Sequence, residues 1–283
     1  MSEPHDPAST PSGGQKLALI VLGALIGTYS TLCGIGGGVF AVPLLHYVWK
    51  MPLPIAVANS LVLVAASTTS ATVSELFHPR SGLDWGVTAA LIGTSFVGTQ
   101  LGYRAAKRLN VRQLKMVFAV LLVIVSMEVL FDTHFRDSAS VVGTASDLAP
   151  WQWGVVAAVG FVAGFVAPML GIGGGLIAVP GLVYGIPTLG YLGARACSMA
   201  MSMLTSWQSV WLYRRDGSLR TRTSIWLALG AVAGGVAGIQ LVHVPSVTAS
   251  ARWLVGFALL FSAARFAWDL WSTRGAAGSR LRV

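Results

Sequence analysis

Two nearly identical glycine-rich segments are the part of this sequence best suited to bind a small ligand. GIGGGVFAVP occupies residues 34–43, and GIGGGLIAVP occupies residues 171–180. Consecutive glycines can adopt positive φ and turn successive backbone N–H groups toward one point, which makes an anion-binding nest at the start of the next helix. We therefore expect one small anion to bind between both segments. The candidate glycines are Gly34, Gly36, Gly37, Gly38, Gly171, Gly173, Gly174 and Gly175.

Close helix packing is the alternative explanation for these glycines. Small residues four apart let membrane helices approach, and Gly230, Gly234 and Gly238 have that spacing. Four glycines within five residues do not have this four-residue spacing, and they favour a broken helix. The C-terminal end of the preceding helix also points at the break, so helix dipoles alone leave both an anion and a cation open.

The composition is that of an integral membrane protein. Of 283 residues, 54% are hydrophobic and only 10% are charged, whereas soluble domains carry about 25% charged residues. No charged residue lies between Lys16 and Lys50, or between Asp147 and Arg195. Because a single span needs only about 20 apolar residues, the chain is expected to cross the bilayer several times.

The repeat extends beyond the glycines, because Pro43 and Tyr47 recur at the same spacing as Pro180 and Tyr184. A duplicated unit with broken helices is typical of secondary transporters, whose substrate lies near the middle of the membrane. The first half predicts helices at residues 16–33, 38–49, 53–75, 85–104 and 113–131. The second half predicts helices at residues 151–170, 175–185, 188–213, 222–242 and 250–272.

Two basic clusters predict the orientation of the halves. The first is Arg104, Lys107, Arg108, Arg112 and Lys115, and the second is Arg214, Arg215, Arg220 and Arg222. Positive residues favour the cytoplasmic side, so an even number of crossings must separate the clusters. If residues 151–185 crossed the membrane once as one kinked helix, the number of crossings between the clusters would be odd. We therefore predict that the chain reverses at each GIGGG in a broken or re-entrant hairpin, which inverts the second half relative to the first.

The predicted fold is thus an all-α polytopic membrane protein with two inverted-topology repeats and about 8–10 membrane helices. Residues 1–15 are expected to form a disordered tail, and residues 16–135 the first membrane repeat. Residues 136–150 form an extracytoplasmic linker, residues 151–272 the second repeat, and residues 273–283 a basic cytoplasmic tail. Both termini are expected in the cytoplasm.

Several function classes are not expected from this sequence. The five histidines are scattered without ligand spacing, and Cys33 and Cys197 lie in apolar segments as buried thiols, so we predict no metal and no cofactor. The basic residues occupy short loops without interleaved aromatic residues, which argues against nucleic acid. No nucleophile and base pattern indicates an enzyme. Assembly into a homo-oligomer stays open.

A second group of candidate ligands follows each glycine segment. Arg195 begins a helix in which a charge is costly unless it is used or reaches the interface. Hydroxyl groups recur along the same helix at Ser198, Ser202, Thr205 and Ser209, and they could donate to an oxyanion. Equally, such hydroxyls often bond to their own helix or join neighbouring helices. The candidate substrate-binding residues of this group are Asn59, Ser60, Arg195, Cys197 and Ser198.

The doubled GIGGG and VP pattern, followed in each half by a small and polar helix start, resembles the TauE/SafE sulfite exporter family of membrane permeases. The resemblance covers residues 16–272 and implies a transporter of sulfite or of sulfonates such as sulfoacetate in the bacterial inner membrane. Because the inside-negative potential favours anion expulsion by about 2.3 kcal/mol per charge per 100 mV, export needs no coupled ion. The alternatives are ion-coupled uptake of organic sulfonates or carboxylates, for which Glu128 is a candidate, and an anion-selective channel.

Overall fold

A computed structural model describes residues 13–34, 36–78, 81–131, 148–219 and 221–242, together with residues 260, 263, 264 and 268. In this part of the chain every regular element is a helix. The first half contains α1 (Gly13–Cys33), α2 (Gly38–Pro43), a π-helical turn (Leu44–Val48), α3 (Leu53–Leu76), α4 (Trp85–Arg108) and α5 (Val111–Phe131). The second half contains α6 (Pro150–Leu170), α7 (Gly175–Gly185), a 3₁₀ turn (Pro187–Leu189), α8 (Gly190–Arg215) and α9 (Thr221–Val242).

The all-α membrane fold is confirmed. Helix α1 begins at Gly13 and so includes the end of the segment that we assigned to the tail. Among the described residues, four helices are long and apolar enough to span a membrane, and the bent pair formed by α7 and α8 raises the number to five. That number is below the predicted 8–10, partly because Thr, Ser and Gln residues make α4 less apolar. The predicted helix at 250–272, the linker and the two tails fall largely or wholly outside the described residues.

Local sequence signals explain where several helices begin. Asp84 precedes α4, and its Oδ1 accepts the backbone N–H of Val87 at 3.0 Å, which is a standard N-cap. Pro150 opens α6 at a position where a missing N–H costs nothing. Further along α6, Pro168 cannot donate to the carbonyl one turn earlier, and the Thr99 hydroxyl donates to that carbonyl of Gly164 at 3.3 Å.

Glycine contacts show that two helix pairs run parallel across the halves. In the first pair, α1 packs along α9, with Gly23 against Leu227 and Gly27 against Ala231. In the second pair, α4 packs along α6, and Gly164 lies against Ser95. Each long helix of one half therefore packs against a helix of the other half, and the halves interlock.

The remaining contacts fix the direction of the central helices. Helices α3 and α8 are antiparallel, because Glu75 meets Arg195 and the Trp207 indole N–H donates to Thr69 at 3.0 Å. Helix α3 runs parallel to α9, and α4 runs parallel to α8. Consequently α1, α3 and α9 point one way, and α4, α6 and α8 point the other way. Each of α1, α3 and α4 is therefore opposed to its counterpart in the second half, which is α6, α8 and α9 respectively.

These directions gather basic residues at one end of the protein, which we call the basic end. It contains Lys50 before α3, Lys107 and Arg108 at the end of α4, and Arg214 and Arg215 at the end of α8. The ends of α4 and α8 are joined there, since Asp216 accepts from both Lys107 and Tyr103. The two basic clusters therefore share one end of the described structure, as the parity of crossings requires.

The close crossing of α1 and α9 gives a first prediction. A Cβ on Gly230 would lie 1.9 Å from the Ile20 carbonyl oxygen, whereas a Cβ on Gly93 in α4 would meet no atom within 4 Å. We expect Gly230→Ala to lower the free energy of unfolding by about 1–3 kcal/mol, because the helices must separate. Gly93→Ala should leave stability unchanged or raise it by up to about 1 kcal/mol. Thermal unfolding in detergent measures both, and equal midpoints would contradict the packing.

Candidate functional site

The two GIGGG segments form matching breaks between helices, which we call the first glycine loop (residues 34–37) and the second glycine loop (residues 171–174). Ile35 lies outside the described residues. Three glycines in each loop have φ between +70° and +91°, a backbone conformation that residues with a side chain rarely adopt. They are Gly34, Gly36 and Gly37 in the first loop and Gly171, Gly173 and Gly174 in the second.

The chain reverses direction at both loops. Helices α6 and α7 are antiparallel, because Gly181 lies against Val159 and Gly185 against Val155. In the first half, the rings of Tyr29 and Phe40 pack edge to face with centroids 5.3 Å apart across the loop. Helix α7 has only 11 residues, about 16 Å of helix, and cannot cross a hydrocarbon core of about 30 Å. It returns toward the end of the protein from which α6 came, before a bend of 105° leads into α8.

The two loops meet each other in the interior. A Cβ on Gly38 would lie 1.8 Å from the Gly171 carbonyl oxygen, and one on Gly36 would lie 2.7 Å from the carbonyl oxygen of Ile172. Backbone therefore touches backbone, and glycine is required at these positions for close approach as well as for φ. Val64, which is half-way along α3, contacts Gly36 and Gly173, so the loops lie near the middle of the helix bundle.

A reciprocal pair of hydroxyl bonds ties each loop to the opposite half. Ser60 on α3 donates to the carbonyl of Gly171 at 2.9 Å, and Ser198 on α8 donates to the carbonyl of Gly34 at 3.4 Å. Both serines are completely buried. Thr205 adds a bond from its Oγ1 to the carbonyl of Gly173 at 2.8 Å. These hydroxyls saturate carbonyl groups that lipid could not satisfy.

Other donors beside the loops remain unused. The hydroxyl groups of Ser30, Ser202 and Ser206 are buried and have no hydrogen-bond partner among the residues described. Ser30 lies beside Gly37, and the Ser206 Oγ is 2.7 Å from the position that a Cβ on Gly173 would occupy. In the second loop, the backbone N–H groups at residues 173–176 also lack an acceptor within the described chain. Donors without a partner in the described structure therefore lie beside both glycine loops.

A buried ion pair borders the first loop. The Arg195 Nη2 lies 2.6 Å from Glu75 Oε2, and Arg195 is fully buried. The Arg195 side chain passes close to Gly34, because a Cβ there would be 2.7 Å from Arg195 Cγ. Its Nη1 lies 3.5 Å from the carbonyl of Thr31. Arg195 is thus placed within reach of the loops.

The structure separates the predicted site residues into two groups. Ser60, Ser198 and Arg195 contact the glycine loops, as described above. Asn59 instead donates to the Ile55 carbonyl at 2.8 Å and accepts from Ser224 on α9 at 2.5 Å. Cys197 lies against the backbone carbonyl of Asp84, 3.6 Å away, at the start of α4. Because these two residues join α3 and α8 to the neighbouring helices α9 and α4, we remove them from the candidate binding set.

Three relevant residues were missed by the sequence reasoning. Ser206 continues the four-residue spacing of Ser198 and Ser202, a signal that was available. Glu75 is an acidic residue in an otherwise uncharged predicted helix, and the predicted topology already placed it on the same side as Arg195. No sequence signal distinguishes Ser30 from the other residues of α1. The side chains of Cys33 and Glu128 lie outside the described residues.

These observations define a helical membrane protein built around two glycine-broken hairpins that meet in its interior. A family model described as sulfite exporter TauE/SafE matches residues 2–129 and 156–282. The chain therefore belongs to the TauE/SafE sulfite exporter family, and it is a membrane transporter, not an enzyme.

Curated relatives agree with this assignment. The probable membrane transporter protein YunE of Bacillus subtilis is 26% identical over 246 residues, which cover 79% of this chain and 87% of that protein. A probable membrane transporter protein of Xylella fastidiosa is 28% identical over 225 residues, covering 77% of this chain and 82% of its own. The probable membrane transporter protein MamO of Paramagnetospirillum magneticum is 37% identical over 126 residues, but the match spans only 20% of its length. No solved structure matches the chain significantly.

The reciprocal serine bonds give a second prediction. Ser60→Ala and Ser198→Ala each leave a buried glycine carbonyl with one partner fewer, so each should lower the free energy of unfolding by about 1–3 kcal/mol. Ser209→Ala is the matched control, because its buried hydroxyl donates only within its own helix, to Thr205 at 2.7 Å. Thermal midpoints in detergent would show the difference. Equal stability of Ser60→Ala and Ser209→Ala would contradict a role for the bond in joining the halves.

Proposed function

We propose that this transporter exports a small sulfur oxyanion, sulfite or a sulfonate such as sulfoacetate, across the bacterial inner membrane. The anion binds between the two glycine loops, where the amides of residues 36–38 and 173–175 surround it. The family assignment supports a transporter of this class, and the geometry of the loops supports an anion.

The observation that carries the proposal is the excess of unused donors at the loops. A bound cation would need free acceptors, but the carbonyl groups of Gly34, Gly171 and Gly173 already accept hydroxyl bonds. Among the described residues, the unpartnered groups at the loops are the backbone N–H groups of the second loop, which can only donate, and the hydroxyls of Ser202 and Ser206, which can donate to an anion. Gln208 Oε1, further along α8, is an unpartnered acceptor. An oxyanion, with several acceptor oxygens around one centre, matches the donors at the loops. These donors favour an anion over the cation that helix dipoles alone leave open.

The transport mechanism that we propose is alternating access between two inverted repeats. Its support is the antiparallel direction of α1, α3 and α4 relative to α6, α8 and α9, and the position of the loops half-way along α3 and α8. Broken helices that meet at the centre of inverted repeats are the usual substrate site of secondary transporters. An open channel fits less well, because the described loop residues are buried and an anion reaches them only when helices separate.

Orientation completes the proposal. We place the basic end in the cytoplasm, because positive loops are retained there. An anion released at the opposite end then moves down the inside-negative potential, by about 2.3 kcal/mol per charge per 100 mV.

Sulfite flux in proteoliposomes tests the site. We expect Ser206→Ala to raise the sulfite KM by about 10–100-fold, because a hydrogen bond to a charged group contributes about 1.5–3 kcal/mol. Stability should not fall, since the hydroxyl has no partner in the described structure. Flux is measured from sulfite-loaded vesicles under potassium potentials of either sign set by valinomycin.

The matched control for this experiment is again Ser209→Ala, whose hydroxyl lies on the same helix and bonds to its own backbone. Its KM should equal that of the wild type. Gly174→Val, at φ +91°, should abolish transport. Wild-type vesicles without saturable sulfite flux would refute sulfite as a substrate, and an unchanged KM in Ser206→Ala would refute this position of the anion.

Single cysteines test the orientation. In a protein with Cys33→Ala and Cys197→Ala, we expect Ser81→Cys to react with a membrane-impermeant maleimide in intact cells, because Ser81 precedes α4 at the end opposite the basic end. Ser218→Cys, which follows α8 at the basic end, should react only after the membrane is permeabilised. The reverse pattern would invert the proposed topology.

A further inference from the structure

The ion pair between Glu75 and Arg195 lies in the interior, where it joins α3 to α8. Both side chains are buried, with 4% and 0% of their surfaces exposed. A buried pair gains little over apolar residues of similar size, because desolvation of both charges offsets their attraction. Ionisable residues inside a membrane protein are usually placed there for function. The position of Arg195 beside Gly34 indicates which function.

Arg195 has binding capacity that its protein contacts do not use. Its guanidinium carries five N–H donors, of which one points to Glu75 and one makes a long contact of 3.5 Å with the Thr31 carbonyl. Its Nε is buried and has no partner within the described residues. Ser198, whose hydroxyl reaches the first glycine loop, lies one turn further along the same helix. The guanidinium therefore has free N–H donors in the described structure, with which it could bind an anion that the glycine loops also hold.

Glu75 depends on Arg195 for its counter-charge. Within the described residues, its Oε1 accepts one long bond of 3.4 Å from the backbone N–H of Gly82. From helix α1, the Thr31 carbonyl lies near the pair. The titratable groups on the adjoining described segments are His78, just beyond the end of α3, Asp84, which caps α4, and Cys197, which follows Arg195 on α8 and contacts the Asp84 carbonyl. Arg80 lies outside the described residues. If Arg195 turns to another anion, Glu75 is left as an uncompensated charge in a buried site.

We propose that Glu75 couples anion transport to a proton: the substrate anion displaces Glu75 from Arg195, and the displaced carboxylate takes up one proton from the aqueous side. This inference rests on the proposed function, because it requires an anion at the glycine loops. The proton leaves, and the ion pair forms again, when the anion is released. Each transported anion therefore travels with one proton, which cancels one of its negative charges. The membrane potential then acts only on the remaining charge, and a pH gradient acts on transport in addition to it.

Gradient-driven accumulation of sulfite in proteoliposomes tests the coupling. With equal potassium on both sides and valinomycin present, the potential is zero, and a tenfold proton gradient should concentrate the carried anion about tenfold at one proton per anion. Sulfite itself titrates near neutral pH, so a pH gradient redistributes sulfite and hydrogensulfite even without coupling. This part of the accumulation is the same for every variant. Glu75→Gln should keep downhill sulfite flux and lose the additional accumulation.

A binding measurement on Glu75→Gln and a double variant that removes both charges show whether a loss of accumulation reflects lost coupling or poor folding. In Glu75→Gln, Arg195 lacks its counter-charge, so sulfite should raise the thermal midpoint of this variant more than that of the wild type. The double variant Glu75→Gln and Arg195→Gln contains no buried charge at this position and should fold, but its sulfite KM should rise at least tenfold. Asp216→Asn is the matched control, because it breaks the ion pair with Lys107 that joins α4 to α8 at the basic end. It should accumulate sulfite as the wild type does.

The outcomes separate the coupling from the proposed function. If the wild type shows downhill sulfite flux but no additional accumulation in the proton gradient, or if Glu75→Gln accumulates sulfite equally, the coupling is wrong and the proposed function stands. If the double variant transports sulfite with wild-type kinetics, Arg195 does not bind the anion and the inference is overturned. Absence of any sulfite flux in folded wild type would refute the proposed function itself.

Discussion

The protein is constrained above all by the need to satisfy broken backbone at membrane depth. Lipid offers no hydrogen bonds, so a glycine loop inside the bilayer is stable only when protein surrounds it. Here each loop is covered by the other loop and by a serine of the opposite half, Ser60 on Gly171 and Ser198 on Gly34. Each loop therefore needs a hydrogen bond from the opposite half, in keeping with the interlocking pairs α1 with α9 and α4 with α6.

The same constraint explains the composition of the interface between the halves. Glycines bring helix backbones together, and small hydroxyl residues donate to the carbonyl groups that the breaks expose, as Ser60 does for Gly171. The symmetry is not complete. The Ser198 bond is longer than the Ser60 bond, and α2 continues into a π-helical turn after Pro43, whereas α7 continues as a regular α-helix through Pro180. On the proposed mechanism such asymmetry is expected, because two inverted repeats adopt different conformations in any state that is open to one side only.

Sequence reasoning predicted the helix bounds closely, because charges, prolines and glycines mark where apolar segments end. It also predicted the reversal at each loop from the parity of the basic clusters. It was less successful for side chains within the helices. Asn59 and Cys197 lie next to Ser60 and Ser198 in sequence, yet they face α9 and α4 instead of the loops. A helix that is apolar on all sides carries no periodic signal of which face is which, so rotation about the helix axis is fixed only by packing.

The charge balance of the interior links the site to transport. Near the loops the described interior carries one negative and one positive side chain, and they neutralise each other. Backbone and hydroxyl donors can bind the oxygens of an anion, but they supply only partial charges. When an anion enters such a region of low dielectric, its full charge must be balanced by the guanidinium, and the carboxylate that held the guanidinium must then lose its own charge. On our proposal, neutrality of a buried site is therefore the physical reason that anion and proton move together.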